Sequence, residues 1–262
     1  MLRVCSWNVL ADAYVRDRTG KVRFGSSDAS LLVPGARVDP VLQQATSYEA
    51  DIVLMQEGDE PLAHAARSRL ERVGWTVVWA PKPNREDGCL TLLRRGWNVE
   101  DSEVLLFTAG DPKWGHLASV VKIRDESGRR ATIVNSHLRW GAPGTPPSEH
   151  LGVQNATQIV EHLDSEMPVI LGADLYDRPG GPTRAVLEAA GFDLLFSDRP
   201  TAFPNDNAPA CIDTIAVRGV DATPVETGIE AVRPLPRPTC PSDHLPLVAD
   251  VHLEATSSRP PE

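Results

Sequence analysis

Short apolar or alternating runs, bounded by Gly, Pro, Asp or Asn, recur along the chain at a spacing that predicts strands. They cover residues 2–9, 51–56, 76–80, 89–93, 104–107, 118–123, 131–136, 169–172, 212–217 and 245–251. Between them, apolar positions fall at helical spacing over 40–50, 60–73, 149–163 and 182–190. Gly74 and Gly191 stand as stops after the second and fourth of these, and Pro40 and Pro182 lie where a first helical turn accepts proline. Residues 125–130, Asp-Glu-Ser-Gly-Arg-Arg, read as a hairpin turn, so the sheet has antiparallel character and is mixed at least. Residues 16–36, 141–148 and 233–241 read as loops.

With 262 residues the chain suits one domain, expected over 1–254, with 255–262 as a frayed tail. A hydrophobic share of 41% and a charged share of 24% are those of a soluble globular protein. No stretch approaches the ~20 apolar residues of a membrane span, so no membrane partner is expected. The first residues have no long apolar region or cleavage signal and read as the first strand. The four cysteines, Cys5, Cys89, Cys211 and Cys240, lie too far apart for a zinc knuckle or redox pair, which suggests reduced thiols in a cytoplasmic protein, expected to be a monomer. A net charge of −10 argues against broad neutralisation of a long duplex. Carboxylates that hold a cation would account for part of that charge, and the remainder favours a short or terminal phosphate gripped by a few arginines.

Several strand-like runs end in polar punctuation: Trp7-Asn8, Gln56-Glu57, Asn135-Ser136-His137 and Asp174. Asp213 lies inside Cys211-Ile212-Asp213-Thr214-Ile215, and Ser242-Asp243-His244 precedes the run 245–251. An isolated Asp at a strand end is usually a turn or cap residue, and a lone His is usually a satisfied side chain. Taken together and in order, these residues read as groups delivered by several strands to one rim, the pattern of a metal-assisted hydrolytic site.

Asn8, Glu57, His137, Asp174, Asp213, Asp243 and His244, each in its local setting, resemble the endonuclease/exonuclease/phosphatase superfamily, and the match runs from Trp7 to His244. Residues 8–14, Asp87-Gly88-Cys89 and His137-Leu138-Arg139-Trp140 are most similar to its nocturnin, deadenylase and Angel branch, which acts on RNA 3′ ends or related phosphoesters. The resemblance implies an α/β fold, a four-layered α/β sandwich of two mixed β-sheets packed face to face with outer helices, and Mg²⁺ or Mn²⁺ as cofactor. Glu57 is then the metal ligand, since a hard oxygen donor suits Mg²⁺. Asn8 orients the metal-bound shell or the attacking water, and Asp174 holds that water and accepts its proton. His137 and His244 donate to the phosphate, with Asp213 keeping His244 protonated. Asp243 completes the metal shell or its second layer.

One position departs from the family pattern. The usual Gly-Asp-Phe-Asn is here Ala173-Asp174-Leu175-Tyr176, so a phenol stands where an amide contacts phosphate or water. Either Tyr176 points elsewhere and Asp177 or another donor substitutes, or catalysis is weakened by up to ~3 kcal/mol. Arg139 is the best candidate for holding substrate phosphate, ahead of Arg85, Arg178 and Arg184. Trp140 and Phe203 are candidates for stacking a base or for core packing. Gly180-Gly181 is a turn that could approach phosphate. The expected activity is hydrolysis at RNA 3′ ends, as a 3′-5′ exoribonuclease or a 2′,3′-cyclic phosphate phosphatase. Poly(A) preference is in doubt because residues 202–209 do not clearly supply a stacking aromatic. The alternatives are a phosphatase of a small phosphoester, such as an inositol phosphate, and a catalytically weak phosphate-binding scaffold.

Overall fold

A computed structural model describes residues 1–24, 28–142, 144–204 and 208–254; the expected tail, 255–262, lies outside the described residues. The strands are β1 (Leu2–Asn8), β2 (Ile52–Asp59), β3 (Thr76–Pro81), β4 (Asp87–Leu93), β5 (Trp97–Leu106) and β6 (Leu117–Asp125). They continue with β7 (Arg130–His137), β8 (Val169–Asp174), β9 (Asp193–Leu194), β10 (Asp213–Arg218), β11 (Asp221–Val225) and β12 (Leu247–His252). The helices are α1 (Val38–Ser47), α2 (Glu60–Leu70), α3 (Leu151–His162) and α4 (Pro182–Ala189). Gly74 and Gly191 adopt φ values of 90° and 83°, which close the α2 and α4 segments as their sequence positions suggested.

Two six-stranded sheets form, in the orders β11-β12-β1-β2-β4-β3 and β5-β6-β7-β8-β10-β9. Each is mixed: one parallel pair, β1/β2 or β7/β8, lies at its centre, and its other pairings are antiparallel. Alternation along the strands sorts side chains into layers. Val4, Ile52 and Leu54 from one sheet meet Val121, Ile133, Ile170 and Ile215 from the other in the inter-sheet core. The opposite faces carry Cys5, Val53 and Met55 against Val41 and Leu62 of α1 and α2, and Leu171 and Ala173 against Ile159 and Leu187 of α3 and α4. The result is the four-layered α/β sandwich. Gly172 is required where the sheets approach, since a Cβ there would lie 2.6 Å from Leu54 Cδ1.

Three strands escape the hydrophobic pattern wholly or in part, β5, β9 and β11, and all three are sheet edges. β5 starts well before residue 104; its polar half pairs through ions, Arg124 and Arg130 to Glu100 and Lys122 to Asp101, not through burial. β11 contains Pro224, which an edge strand tolerates because one side of it needs no partner. The 125–130 turn joins antiparallel β6 and β7, held by the Asp125 carboxylate, which accepts from Ser127 Oγ and Arg129 N.

Candidate active site

The central parallel pairs explain why residues so far apart in sequence meet. The C-terminal ends of β1 and β2 lie side by side, pairing Asn8 with Gln56, and those of β7 and β8 pair His137 with Asp174. Antiparallel neighbours enter at the same rim by their N-terminal ends, so Asp213 of β10 pairs with Asp174. His244 arrives just before β12. Its backbone carbonyl accepts from Trp7 Nε1 at 2.9 Å, and Ser242 Oγ donates to Asn8 O at 2.7 Å, which ties this segment to β1.

Glu57 is aimed into the cleft by a β-bulge. The β2/β4 register shifts between Gln56 and Gly58, and Glu57 itself takes φ 58°. Leu10 and Tyr176, at φ 57° and 51°, are further non-glycine residues in the left-handed region beside the site. Such backbone costs on the order of 1–3 kcal/mol and gathers where function sets side-chain direction. Asn8 bridges two carboxylates, its Nδ2 donating to Glu57 Oε1 at 3.0 Å and Asp174 Oδ2 at 3.1 Å. Ala11 N donates to Glu57 Oε2 at 3.1 Å.

Both histidines face Asp174, yet they differ in charge. Nε2 of His137 lies 3.7 Å and Nε2 of His244 3.9 Å from Asp174 Oδ2. Burial alone would lower His244, but Asp213, Asp243 and Asp174 outweigh it and hold the imidazole well above its ordinary value, as the cation. His137 is driven well below 6.5 by burial and by Lys82, His116 and His244, so it is neutral. A neutral imidazole donates from one nitrogen only. Asp174 is raised to about 7 by burial and Asp213, with His244 pulling the other way.

A hard cation fits this donor set. Asp243 Oδ1 is buried and has no hydrogen-bond partner among the described residues. Glu57 is pushed up by burial, Asp87 and Asp243, a crowding of carboxylates that a divalent ion relieves. Asp174, Asp213 and His244 also present ligand atoms within 4.8 Å of one another. There, however, the His244 nitrogen nearest Asp213 already makes a 2.9 Å contact with that carboxylate, and a cationic imidazole has no lone pair to offer. Glu57 with Asp243 is therefore the better seat.

Other candidates separate clearly. Tyr176 points into the cleft, 42% exposed, and its ring stacks on His137 at 5.3 Å and 12°. Asp177 does not substitute for it: its carboxylate accepts from Thr183 N and Arg184 N and caps α4. That same cap lies against Gly181, where a Cβ would fall on the Asp177 carboxylate. Arg184 is buried and donates to the carbonyls of Asp177 and Asp213, a structural clamp and not a phosphate ligand. Phe203 belongs to the core under α1 and α2, and residues 205–207 of the loop expected to lack a stacking aromatic lie outside the described residues. β7 stops at His137, but Arg139 still lines the cleft, as do Arg85, Arg178 and Trp140.

Lys82 and His116 went unread in the sequence, and Tyr14 and Asp87 entered only as parts of motifs, with no role given. Lys82 is buried and forms an ion pair with Asp87, which also accepts from Tyr14 OH at 2.8 Å. Lys82 Nζ lies 3.5 Å from His137 Nδ1, and the His116 ring meets His137 edge-on at 5.8 Å. A lysine beside Pro83 in a turn reads as solvated; the one available hint was Asp87 at the head of Asp87-Gly88-Cys89. Conversely, Gln56 and Asn135 are absent from the rim. They are buried beneath it, with Gln56 Nε2 donating to Asn135 Oδ1 at 2.9 Å, an amide clip between the two sheets.

Glu57, His137, Tyr176, Asp243 and His244 line one cleft of about 990 Å³. Among the described residues no helix is long and apolar enough to cross a membrane. No curated protein matches the chain by sequence. Solved structures do match its fold. The catalytic domain of human nocturnin with bound sulfate is 21% identical at TM-score 0.70, covering 97% of this chain and 93% of that one. ANGEL2, a 2′,3′-cyclic phosphatase in complex with adenosine-2′,3′-vanadate, is 16% identical at TM-score 0.80, covering 97% and 96%. The mannosyl-6-phosphatase Bt3783 of Bacteroides thetaiotaomicron is 16% identical at TM-score 0.67, covering 96% and 100%. The profile of the endonuclease/exonuclease/phosphatase family matches residues 5–244, a span that contains every rim residue from Asn8 to His244. The chain belongs to the endonuclease/exonuclease/phosphatase family.

Proposed function

We propose that this protein is a divalent-metal-dependent phosphoesterase acting at RNA 3′ ends, where it opens and removes a 2′,3′-cyclic phosphate. The observation that carries this reading is the pair Asp213–His244, which turns one imidazole into a fixed cation 3.9 Å from Asp174 at the floor of the cleft. Hydrolysis needs a proton acceptor for water and donors for the phosphoryl oxygens. Asp174 takes a proton of the attacking water as that oxygen bonds to phosphorus, one P–O ester bond breaks, the leaving ribose oxygen is protonated from solvent, and His244 donates a hydrogen bond to a phosphoryl oxygen on which negative charge gathers. A second hydrolysis of the remaining ester in the same way releases phosphate. Neutral His137 supplies a second donor on the same side. Asn8 fixes the spacing of Glu57 and Asp174 through its two hydrogen bonds.

Glu57 and Asp243 would hold Mg²⁺ or Mn²⁺, which when bound supplies electrophilic stabilisation of the phosphoryl oxygens and acidifies water. Asn8, expected as a further ligand, turns its N–H groups to Glu57 and Asp174 and its Oδ1 to Leu10 N, and so orients the carboxylates instead. Support for a terminal substrate comes from the acidic chain, which lacks the positive surplus for long strands, and from the fold shared with ANGEL2, itself a 2′,3′-cyclic phosphatase. A panel of oligoribonucleotides ending in hydroxyl, 3′-phosphate and 2′,3′-cyclic phosphate tests the reading. Loss of the cyclic phosphate without chain shortening is expected. Shortening of the hydroxyl-ended strand would make the enzyme an exoribonuclease instead. Turnover of sugar phosphates alone would move it to small phosphoesters.

A further inference from the structure

The cleft continues past the histidines. From His116 its wall runs back to Trp114, where two arginines from separate parts of the chain converge. Cζ of Arg139 lies 4.4 Å from the centre of the Trp114 ring, and Cζ of Arg85 lies 5.7 Å from it. Arg139 follows β7, Arg85 sits in the β3–β4 connection, and Trp114 precedes β6; all three line the same cavity as Glu57 and His244.

Arg85 and Trp114 are exposed, and the buried Arg139 is the fixed member of this convergence. Arg139 is only 7% exposed, and its Nη1 donates to Ala109 O at 3.4 Å. Gly110, at φ 78°, leaves room for the guanidinium, since a Cβ there would lie 2.2 Å from Arg139 Nη1. Among the described residues neither Arg85 nor Arg139 has a carboxylate in ion-pair contact; Asp111, the acid that acts on Arg139, pairs with Lys113. Burial lowers the Arg139 pKa, Asp111 opposes that, and Arg85 lowers it further, so the two guanidiniums repel each other. An indole face steadies guanidiniums while leaving their N–H forks free, and two such forks without an acid suit a dianionic phosphate. In a chain of net charge −10, so local a surplus of positive charge calls for an anionic occupant.

We propose that Arg85, Trp114 and Arg139 form a second phosphate subsite, which holds a non-scissile phosphate of the same substrate molecule whose scissile phosphate lies beside His244. The inference rests on the phosphoesterase reading above and narrows its substrates to molecules carrying a second phosphate. A ribonucleotide with a 5′-phosphate and a sugar bisphosphate share that chemistry.

The test compares kcat/KM in Mn²⁺ for adenosine 2′,3′-cyclic phosphate with and without a 5′-phosphate, and for mannose 1,6-bisphosphate against mannose 6-phosphate. The second phosphate should raise kcat/KM at least about ten-fold in one pair, the usual worth of a hydrogen bond to a charged group, and mainly through KM. The pair that responds identifies the source. Arg85 is exposed, so Arg85→Met should fold, and it should bring that ratio down about ten-fold, with Arg85→Lys restoring part of it. Ratios near one in both pairs, or a ratio that Arg85→Met and Arg139→Lys leave untouched, would overturn the subsite while leaving hydrolysis intact. If wild-type protein hydrolyses none of these compounds, the phosphoesterase reading fails by itself. Calorimetric titration with adenosine 3′,5′-bisphosphate and adenosine 3′-phosphate then still decides the subsite: tighter binding of the bisphosphate that Arg85→Met removes supports it, and equal binding refutes it.

Discussion

Nδ1 of His244 faces both oxygens of Asp213, at 3.0 and 2.9 Å, while its Nε2 looks toward Asp174 Oδ2 at 3.9 Å. One carboxylate therefore keeps the ring charged, and the other is left to accept a proton. Asp213→Asn removes the charge and keeps the shape. The His244 pKa should fall toward 6.5, and because the protonated ring is the active form, activity is present below that pKa and lost above it. The high-pH limb of kcat should move down toward neutrality, with kcat at pH 8 reduced roughly 10–100-fold, the usual cost of losing an orienting partner. Rate profiles from pH 5 to 10 check this; an unmoved limb would assign the titration to another group.

Tyr176 stacks on neutral His137 where relatives place an amide. Its φ of 51° is a conformation asparagine accepts readily, so Tyr176→Asn should fold normally. The amide can reach phosphate or water where the phenol is held against the imidazole, and kcat should rise by up to about a hundredfold. Steady-state kinetics on the preferred substrate decide it, and a fall in kcat would mean that Tyr176 itself contacts the substrate.

The amide clip under the rim is a matter of stability. Asn135 Nδ2 donates to Met55 O and Leu90 O, each at 3.1 Å, and its Oδ1 receives Gln56 Nε2. Asn135→Leu keeps the volume but removes the side-chain donor to the Met55 and Leu90 carbonyls in a dry core, at about 1–3 kcal/mol for each left unsatisfied, while Gln56 Nε2 keeps Ser6 Oγ and Gly172 O. Thermal unfolding should come roughly 5–10 °C lower, by the usual scaling for a chain of this size. An unchanged Tm would show that the sheets hold together without the clip.

His116 carries an acid-side liability. Burial first, and then Lys82, lower it from 6.5 to about 4. A depressed pKa adds stability that is complete above the unfolded value of 6.5 and is lost as pH falls through about 4, because the unfolded chain binds the proton first. Melting temperatures should fall between pH 6.5 and about 4, and His116→Gln should flatten part of that slope. An identical slope in the variant would leave His137 to account for it.

Much of the site could be read directly from strand ends. Asn8, Glu57, His137, Asp174, Asp213 and His244 each follow or begin an apolar run, because parallel strands finish, and antiparallel ones start, at one rim. Sequence does not say which of two adjacent polar residues faces the cleft. Gln56 and Glu57 look alike as punctuation, and only the bulge sends one inward and the other to the rim. Lys82 and Asp87 were hidden because burial of an ion pair depends on what packs over it, and a turn composition gives no sign of that. β5 and β11 were missed or shortened for a related reason: at a sheet edge, ion pairs and a tolerated proline replace the apolar alternation that marks interior strands.

We propose that Glu57 serves a divalent ion in phosphoester hydrolysis, and metal reconstitution decides it. Wild-type protein and Glu57→Gln would be stripped with chelator and assayed on a 2′,3′-cyclic-phosphate-ended oligoribonucleotide while Mg²⁺ or Mn²⁺ is titrated back, with melting curves recorded alongside. Stripped wild type should be inactive and should recover saturably with either ion; Glu57→Gln should stay inactive at every concentration while melting within a few degrees of wild type. Full turnover in chelator, or a Glu57→Gln variant that recovers like wild type, would show that Glu57 serves no catalytic ion.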